Sequence, residues 1–291
     1  MIQYSKQTDE RREAGPLECW CLHGAVGMAA DWRELAKKLA PAGISTRAVD
    51  LWRFLDCCPM PLTDFGKALN AEAGGEISRT SGRALLGYSM GGRLALHALL
   101  EPDHPWQAAV IVSTHPGLEN EADRAARRNA DVTWATQALA GNWPQFLDAW
   151  NGQSILGSTP MRDPQGSGSL VMRRREIARS FVDWSLGIQE PLWDRLGEIS
   201  IPVLWIAGEN DPKFLALARQ AVSLMPNAQL ATAHGTRWPE PGAVATKGAC
   251  RPCGSATRLS ATTTRRPPTT PTTAPSTDSR KNSNAMCANE L

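Results

Sequence analysis

The chain has little net charge and no long hydrophobic run. Its formal charge is +2 over 291 residues, so its electrostatics ask for neither nucleic acid nor an anionic membrane as partner. The longest apolar runs are too short to span a bilayer, and Met1 to Gly15 is polar and charged where a secretory leader would be apolar. A soluble, cytoplasmic protein is expected. A disulfide framework is also missing: the seven cysteines are an odd number, and Cys19, Cys21, Cys57 and Cys58 lie in or beside apolar segments, which favours reduced thiols. Cys250-Arg251-Pro252-Cys253 has metal-ligand spacing, but no second pair or His-x-His partner follows it. No metal and no organic cofactor is expected, and no internal repeat is evident.

What is present is 42% hydrophobic and 21% charged, enough to bury a full core. The organising stretch runs from Ala84 to Arg93: an apolar run ends in Gly87-Tyr88-Ser89-Met90-Gly91 and passes directly into Leu94-Ala95-Leu96-His97-Ala98-Leu99. A buried strand therefore turns sharply into a helix with Ser89 at the bend, the form of a nucleophile elbow. The bland alternative is an ordinary strand-to-helix turn that contains a serine. At an elbow, the Ser89 hydroxyl stands at the positive end of a helix, beside the Met90 amide as an oxyanion donor.

Upstream, Leu17 to Leu22 reads as a strand delivering His23-Gly24-Ala25-Val26-Gly27 into a loop, where the Ala25 amide is a second oxyanion donor. Asp31 is expected to cap a helix with Trp32, Leu35, Ala36 and Leu39 on one face, followed by a strand from Thr46 to Leu51. A further strand runs from Ala108 to Ser113, and the alternation predicts a mainly parallel sheet with helices on both faces. From Asn120 to about Arg195 the texture is helical and rich in Arg and Trp, which reads as a helical lid over the sheet's carboxyl edge. Within it Arg127, Asp131 and Trp134 share a face, as do Phe146 with Trp150 and Arg175 with Arg179. For any one of these arginines a solvated face paired with Asp131 and Glu176 is the better reading, but several interleaved with tryptophans suit a polyanionic small molecule.

The sheet resumes at Ile201 to Gly208 and ends in Glu209-Asn210-Asp211-Pro212, where Asp211 is the better-placed acid because Pro212 opens the next helix. One more strand, Gln229 to Ala233, leads to His234. The order Ser89, Asp211, His234 is that of an α/β-hydrolase triad, each at the end of its own strand. The expected division is a core of 1–118 and 197–244, a lid of 119–196, and a disordered Thr/Pro-rich tail of 245–291.

These motifs resemble the α/β-hydrolase superfamily from His23 to Val244. Within it they are similar to the 2-succinyl-6-hydroxy-2,4-cyclohexadiene-1-carboxylate synthases of menaquinone and phylloquinone biosynthesis. The closer features are Arg93 after the double glycine, His115-Pro116-Gly117-Leu118, Arg127-x-x-x-Asp131-x-x-Trp134, Phe146 to Trp150, and Asp211-Pro212-Lys213-Phe214. The resemblance implies a lyase in which Ser89, assisted by His234 and oriented by Asp211, removes a ring proton so that pyruvate leaves. It implies an oxyanion hole of Ala25 and Met90, carboxylate binding by Arg93, Arg127 and Arg179 or Arg175, and a pocket lined by Trp150 and Tyr88. The substrate would be a small polycarboxylate, the protein a monomer or small homo-oligomer. A serine ester or thioester hydrolase on the same triad is the alternative, and a non-catalytic binding module the third.

The sequence departs from this family in three places, one of them around the histidine, where the usual Gly-His is Ala233-His234 and the His-Arg-Glu that commonly follows is Arg237-Trp238-Pro239. After the second strand the usual Asp-x-Pro-Gly-His-Gly is Asp50-Leu51-Trp52-Arg53-Phe54-Leu55, so that loop is rebuilt. Beyond Val244 a Thr/Pro-rich tail stands where a closing amphipathic helix is expected, which predicts a thinly covered sheet face near His234. One reading of the tail is an altered reading frame, which an intact mass of natural protein extending to Leu291 would count against.

Overall fold

Six short segments of this chain become six parallel strands, the four inner ones mostly apolar. The computed structural model describes residues 17–75, 82–153 and 170–233. Its strands are β1 (Leu17–Leu22), β2 (Ile44–Val49), β3 (Gly82–Tyr88), β4 (Ala108–Val112), β5 (Val203–Gly208) and β6 (Ala228–Ala233). They form a sheet in the order β2-β1-β3-β4-β5-β6 with every neighbouring pair parallel. Parallel neighbours need crossover connections, so the carboxyl ends of all six strands lie along one edge.

The helices are α1 (Arg33–Leu39), α2 (Leu62–Gly75), α3 (Met90–Leu99), α4 (Glu121–Ala140), α5 (Trp143–Asn151), α6 (Arg174–Asp183) and α7 (Pro212–Leu224). Alternate strand residues serve opposite faces. Trp20, Leu22, Leu85, Ile111 and Trp205 pack with Phe65 and Leu69 of α2, Leu94 of α3 and Phe214 and Ala218 of α7. Cys19, Cys21, Leu86, Val112 and Ile206 pack on the other side with Trp32 and with Leu35 of α1. Burial on both faces explains why the inner strands β1, β3, β4 and β5 are mostly apolar, whereas the edge strands β2 and β6 are partly exposed and carry polar residues.

Three local expectations need correcting. Asp31 does not cap α1: its carboxylate accepts from Met28 N at 2.9 Å within a 3-10 turn, Ala29–Trp32, and α1 begins after it. β2 starts and ends two residues early, because the Asp50 side chain accepts from Trp52 N and turns the rebuilt loop into a 3-10 helix, Leu51–Leu55. Cys57 and Cys58 are exposed, whereas Cys19 and Cys21 are buried, and all four are free thiols. Helix α2 was not foreseen, although Leu62, Phe65, Leu69 and Ala73 keep helical spacing and are all buried.

Between β4 and β5, an aromatic cluster joins α4, α5 and α6: Trp134 to Trp150 at 5.2 Å and Trp150 to Phe181 at 5.2 Å between ring centroids. This helical segment is tied to the carboxyl edge by polar contacts. Arg173 Nη2 reaches Asp50 Oδ2 at 3.0 Å, Arg179 Nη1 donates to Leu55 O at 2.6 Å, and Trp184 Nε1 donates to Met60 O at 2.7 Å. Among the described residues no helix is long and apolar enough to cross a membrane. His234, Cys250, Cys253 and the 245–291 stretch lie outside the described residues.

Candidate active site

Ser89 occupies a conformation that L-residues avoid, with φ 52° and ψ −112°. Such a residue costs on the order of 1–3 kcal/mol and persists only where its surroundings over-determine it. Here they do. A Cβ on Gly87 would collide with the Gly91 carbonyl oxygen, and one on Gly91 would collide with the carbonyl oxygens of Leu22 and His23. Glycine at both positions lets α3 begin in direct contact with β3 and with the end of β1. The Ser89 N–H donates to Val112 O at 2.9 Å, and its carbonyl accepts from Arg93 N at 3.1 Å. Met90 is the first residue of α3, where no intrahelical carbonyl takes up the backbone N–H.

The loop after β1 lies against this elbow: a Cβ on Gly24 would stand 3.0 Å from the Tyr88 ring and 3.6 Å from Ser89 Cβ. His23 holds the loop in place. Its Nε2 accepts from Leu51 N at 3.3 Å, which puts the proton on Nδ1 for donation to Gly24 O at 2.9 Å. Trp52, from the rebuilt loop after β2, packs against the His23 ring at a tilt of 53°, with 4.9 Å between centroids, and donates from Nε1 to Gly27 O at 2.8 Å. Ala25 is half-buried between these anchors.

Cross-strand bonds from Ser89 N to Val112 O, Ser113 N to Ile206 O and Glu209 N to Ala233 O continue the ladder past the strand ends. The residues that follow β3, β4 and β5 therefore share one edge. Asp211 is buried there, its Oδ1 capping α7 through Phe214 N at 3.0 Å, while Glu209 is exposed.

Positive charge is concentrated along the same edge. Arg93 is only 6% exposed; its Nη1 donates to Gln189 Oε1 at 2.9 Å and its Nη2 to Trp184 O at 2.6 Å. Burial lowers its pKa to about 9, aided by repulsion from Arg127 and partly opposed by Asp131. Arg127 presents Nε to both Asp131 oxygens at 2.9 Å, and Asp131 also accepts from Ser185 Oγ at 2.6 Å. Asp131 thus orients the guanidinium and leaves its terminal nitrogens for other partners. His115, in the loop after β4, is pushed down to about 3 by burial and then by the charges of Lys213, Arg93 and Arg127. The charges of Arg93, Arg127 and Lys213, on α3, α4 and α7, thus all act against protonation of this half-buried imidazole.

The other expected contacts fall elsewhere. Arg179 directs Nη1 at Leu55 O and Nη2 at Asp183 Oδ2, 3.2 Å away, and Arg175 is exposed. Arg173, absent from the expectations, faces the carboxyl end of β2 through Asp50. Trp150 is buried inside the aromatic cluster, and Tyr88 is buried beneath Gly24. His115 and Lys213 stood in motifs already noted, but no spacing in the sequence places either beside Arg93 or Arg127.

A strained serine between β3 and α3 of a parallel sheet, with a buried aspartate after β5, is the arrangement of an α/β-hydrolase. The family described as serine aminopeptidase, S33 matches residues 62–230. A 2-succinyl-6-hydroxy-2,4-cyclohexadiene-1-carboxylate synthase from Yersinia pestis is 30% identical over 256 residues, covering 82% of this chain and 88% of that protein, and one from Yersinia pseudotuberculosis matches equally. Among solved structures, MenH from S. aureus superposes with a TM-score of 0.64 at 24% identity, covering 78% of this chain and 87% of that one. An esterase from Exiguobacterium antarcticum has a TM-score of 0.57 at 16% identity, covering 75% and 84%. The chain belongs to this α/β-hydrolase family, as a MenH-like member.

Proposed function

We propose that the protein is a 2-succinyl-6-hydroxy-2,4-cyclohexadiene-1-carboxylate synthase. The observation that carries this reading is the cationic edge: Arg93 is buried on the helix that Ser89 opens, Arg127 is held by Asp131, and their charges act with that of Lys213 on the half-buried His115 imidazole after β4. A buried guanidinium whose pKa has fallen to about 9 holds charge that the fold has not neutralised, and a polycarboxylate would neutralise it. The name carried by the Yersinia relatives supports the same choice.

In the proposed reaction Ser89 Oγ takes the proton from the ring carbon as its own proton passes to His234, whose imidazole Asp211 orients. The electron pair left on carbon is delocalised onto an oxygen facing the Ala25 and Met90 amides. Its return forms the second ring double bond and breaks the bond from ring carbon to enolpyruvyl oxygen. The departing enolate takes up a proton and becomes pyruvate. Arg93 and Arg127 hold carboxylates with their remaining N–H groups, and α4, α5 and α6 close over the site.

A serine esterase is the second reading, favoured by the strained elbow itself, which suits an acylated serine equally well. Incubation with the enolpyruvyl substrate separates the two. Pyruvate release that disappears in both Ser89→Ala and Arg93→Ala supports the synthase, whereas burst kinetics with activated esters and no pyruvate would reject it.

A further inference from the structure

We propose that His115 is a substrate-binding residue, donating a hydrogen bond from Nε2–H to a carboxylate oxygen of the substrate. The proposal rests on the reading of the Ser89 edge as an anion-binding site and adds a contact that the motifs did not assign. His115 Nδ1 accepts from Gly117 N at 3.0 Å, so the neutral ring carries its proton on Nε2. No described residue accepts a hydrogen bond from that nitrogen.

The loop bearing the ring is fastened on three sides. Gln189 Nε2 and Leu192 N donate to Pro116 O at 2.8 and 3.0 Å, and Trp193 Nε1 donates to Gly117 O at 2.9 Å. The Trp193 ring meets His115 edge-on, with 6.2 Å between centroids. Gln189 also accepts from Arg93 Nη1, so the imidazole and the buried guanidinium are placed by one shared amide. A donor held this firmly loses little entropy when a ligand arrives.

The surroundings explain why a neutral group serves here. Burial lowers the ring's pKa first, and the charges of Lys213 on α7, Arg93 on α3 and Arg127 on α4 lower it further, to about 3. A fourth cation would be repelled by three, whereas an uncharged N–H adds a hydrogen bond to a carboxylate without that repulsion. Lone-pair directions left open by bidentate guanidinium contacts are available to such a donor.

The test compares His115→Asn, which keeps a short acceptor for Gly117 N but loses the distal donor, with His115→Gln, which places an amide N–H near the site of Nε2. Each is built in the Ser89→Ala background, and binding of the intact enolpyruvyl tricarboxylate is titrated calorimetrically, so that turnover is not needed. The expected result is affinity weakened about tenfold to a hundredfold by Asn and within about threefold of the parent for Gln, at equal urea midpoints. The penalty for Asn stays flat between about pH 5.5 and about pH 8.5, because the ring is neutral throughout that range. Equal affinities for Asn and the parent, equal losses for Asn and Gln, no binding to the parent, or a penalty that vanishes above about pH 6.5 would each overturn the proposal. Pyruvate release by the Ser89 protein is measured separately. Binding with the expected His115 pattern but without pyruvate would reject the reaction and leave His115 standing.

Discussion

Replacing Arg93 with methionine should leave the fold about as stable as before while removing its affinity for polycarboxylates. Burial and Arg127 lower the Arg93 pKa to about 9, well below that of a free guanidinium. At 1.36 kcal/mol for each tenfold change in proton affinity, carrying the charge in the fold costs about 5 kcal/mol at neutral pH. The sign is that of a base with a depressed folded pKa: between about 9 and the free guanidinium value the unfolded chain binds more protons, so stability rises with pH there and the cost is fully present below. Against this stand two hydrogen bonds, to Gln189 Oε1 and Trp184 O. Leaving those acceptors without a donor costs about 1–3 kcal/mol each. Methionine refills the volume of the arginine stem with a flexible apolar chain. The opposing contributions nearly cancel, and urea denaturation at pH 7 should place the variant within about 2 kcal/mol of the parent. The enolpyruvyl tricarboxylate at a hundred times its dissociation constant should stabilise the parent by about 2.7 kcal/mol and the variant by almost nothing. A loss above about 4 kcal/mol would refute the reasoning, because it would mean that the fold itself depends on this charge. Unchanged stabilisation of the variant by the ligand would refute it as well.

Three further outcomes follow from the same edge. Gly91→Ala drives a Cβ into the Leu22 and His23 carbonyl oxygens, and should cost about 3 kcal/mol in urea and lower the catalytic rate by displacing Ser89. Ser113→Gly should raise the urea midpoint by the equivalent of about 1 kcal/mol: the residue sits at φ 45°, fully buried, and no described residue bonds its hydroxyl. A lowered midpoint would contradict this. His97 is buried and neutral, its pKa lowered to about 4 by burial and by Arg93 and Arg195. The unfolded chain gains a proton first, so stability should fall as pH drops from about 6.5 to about 4, by about 3 kcal/mol from this group. His97→Gln should flatten that part of the urea-midpoint profile; identical profiles for the two proteins would count against it.

Wherever a neighbour a few residues away in sequence dictates the chemistry, the chain could be read directly. The Gly87-to-Gly91 spacing announced a tight strand-to-helix turn, and the conformation of Ser89 is what that turn demands. Alternation of apolar runs with helical stretches announced a parallel sheet, because a sheet covered on both faces has to be apolar throughout. Asp211 was preferred over Glu209 from Pro212 alone, and it is the buried acid of the two. The rebuilt loop after β2 was recognised as different, but its 3-10 helix and its hold on His23 through Leu51 and Trp52 were not.

Helical periodicity says which residues share a face and nothing about what that face meets. Arg127, Arg175 and Arg179 were equivalent on that criterion, yet one is oriented by buried Asp131, one is exposed, and one bonds Leu55 and Asp183. The exposure of Cys57 and Cys58 likewise depends on how the chain bends away after the 3-10 helix that ends at Leu55. Local spacing determined the elbow, the sheet and the order of the acid and the nucleophile, because each follows from backbone sterics within a few residues. The neutrality of His115 and the depressed pKa of Arg93 were decided only by the tertiary structure. Both arise from burial and from repulsion between charges on α3, α4 and α7, which are far apart along the chain and interact only once folding has brought them to one edge of the sheet.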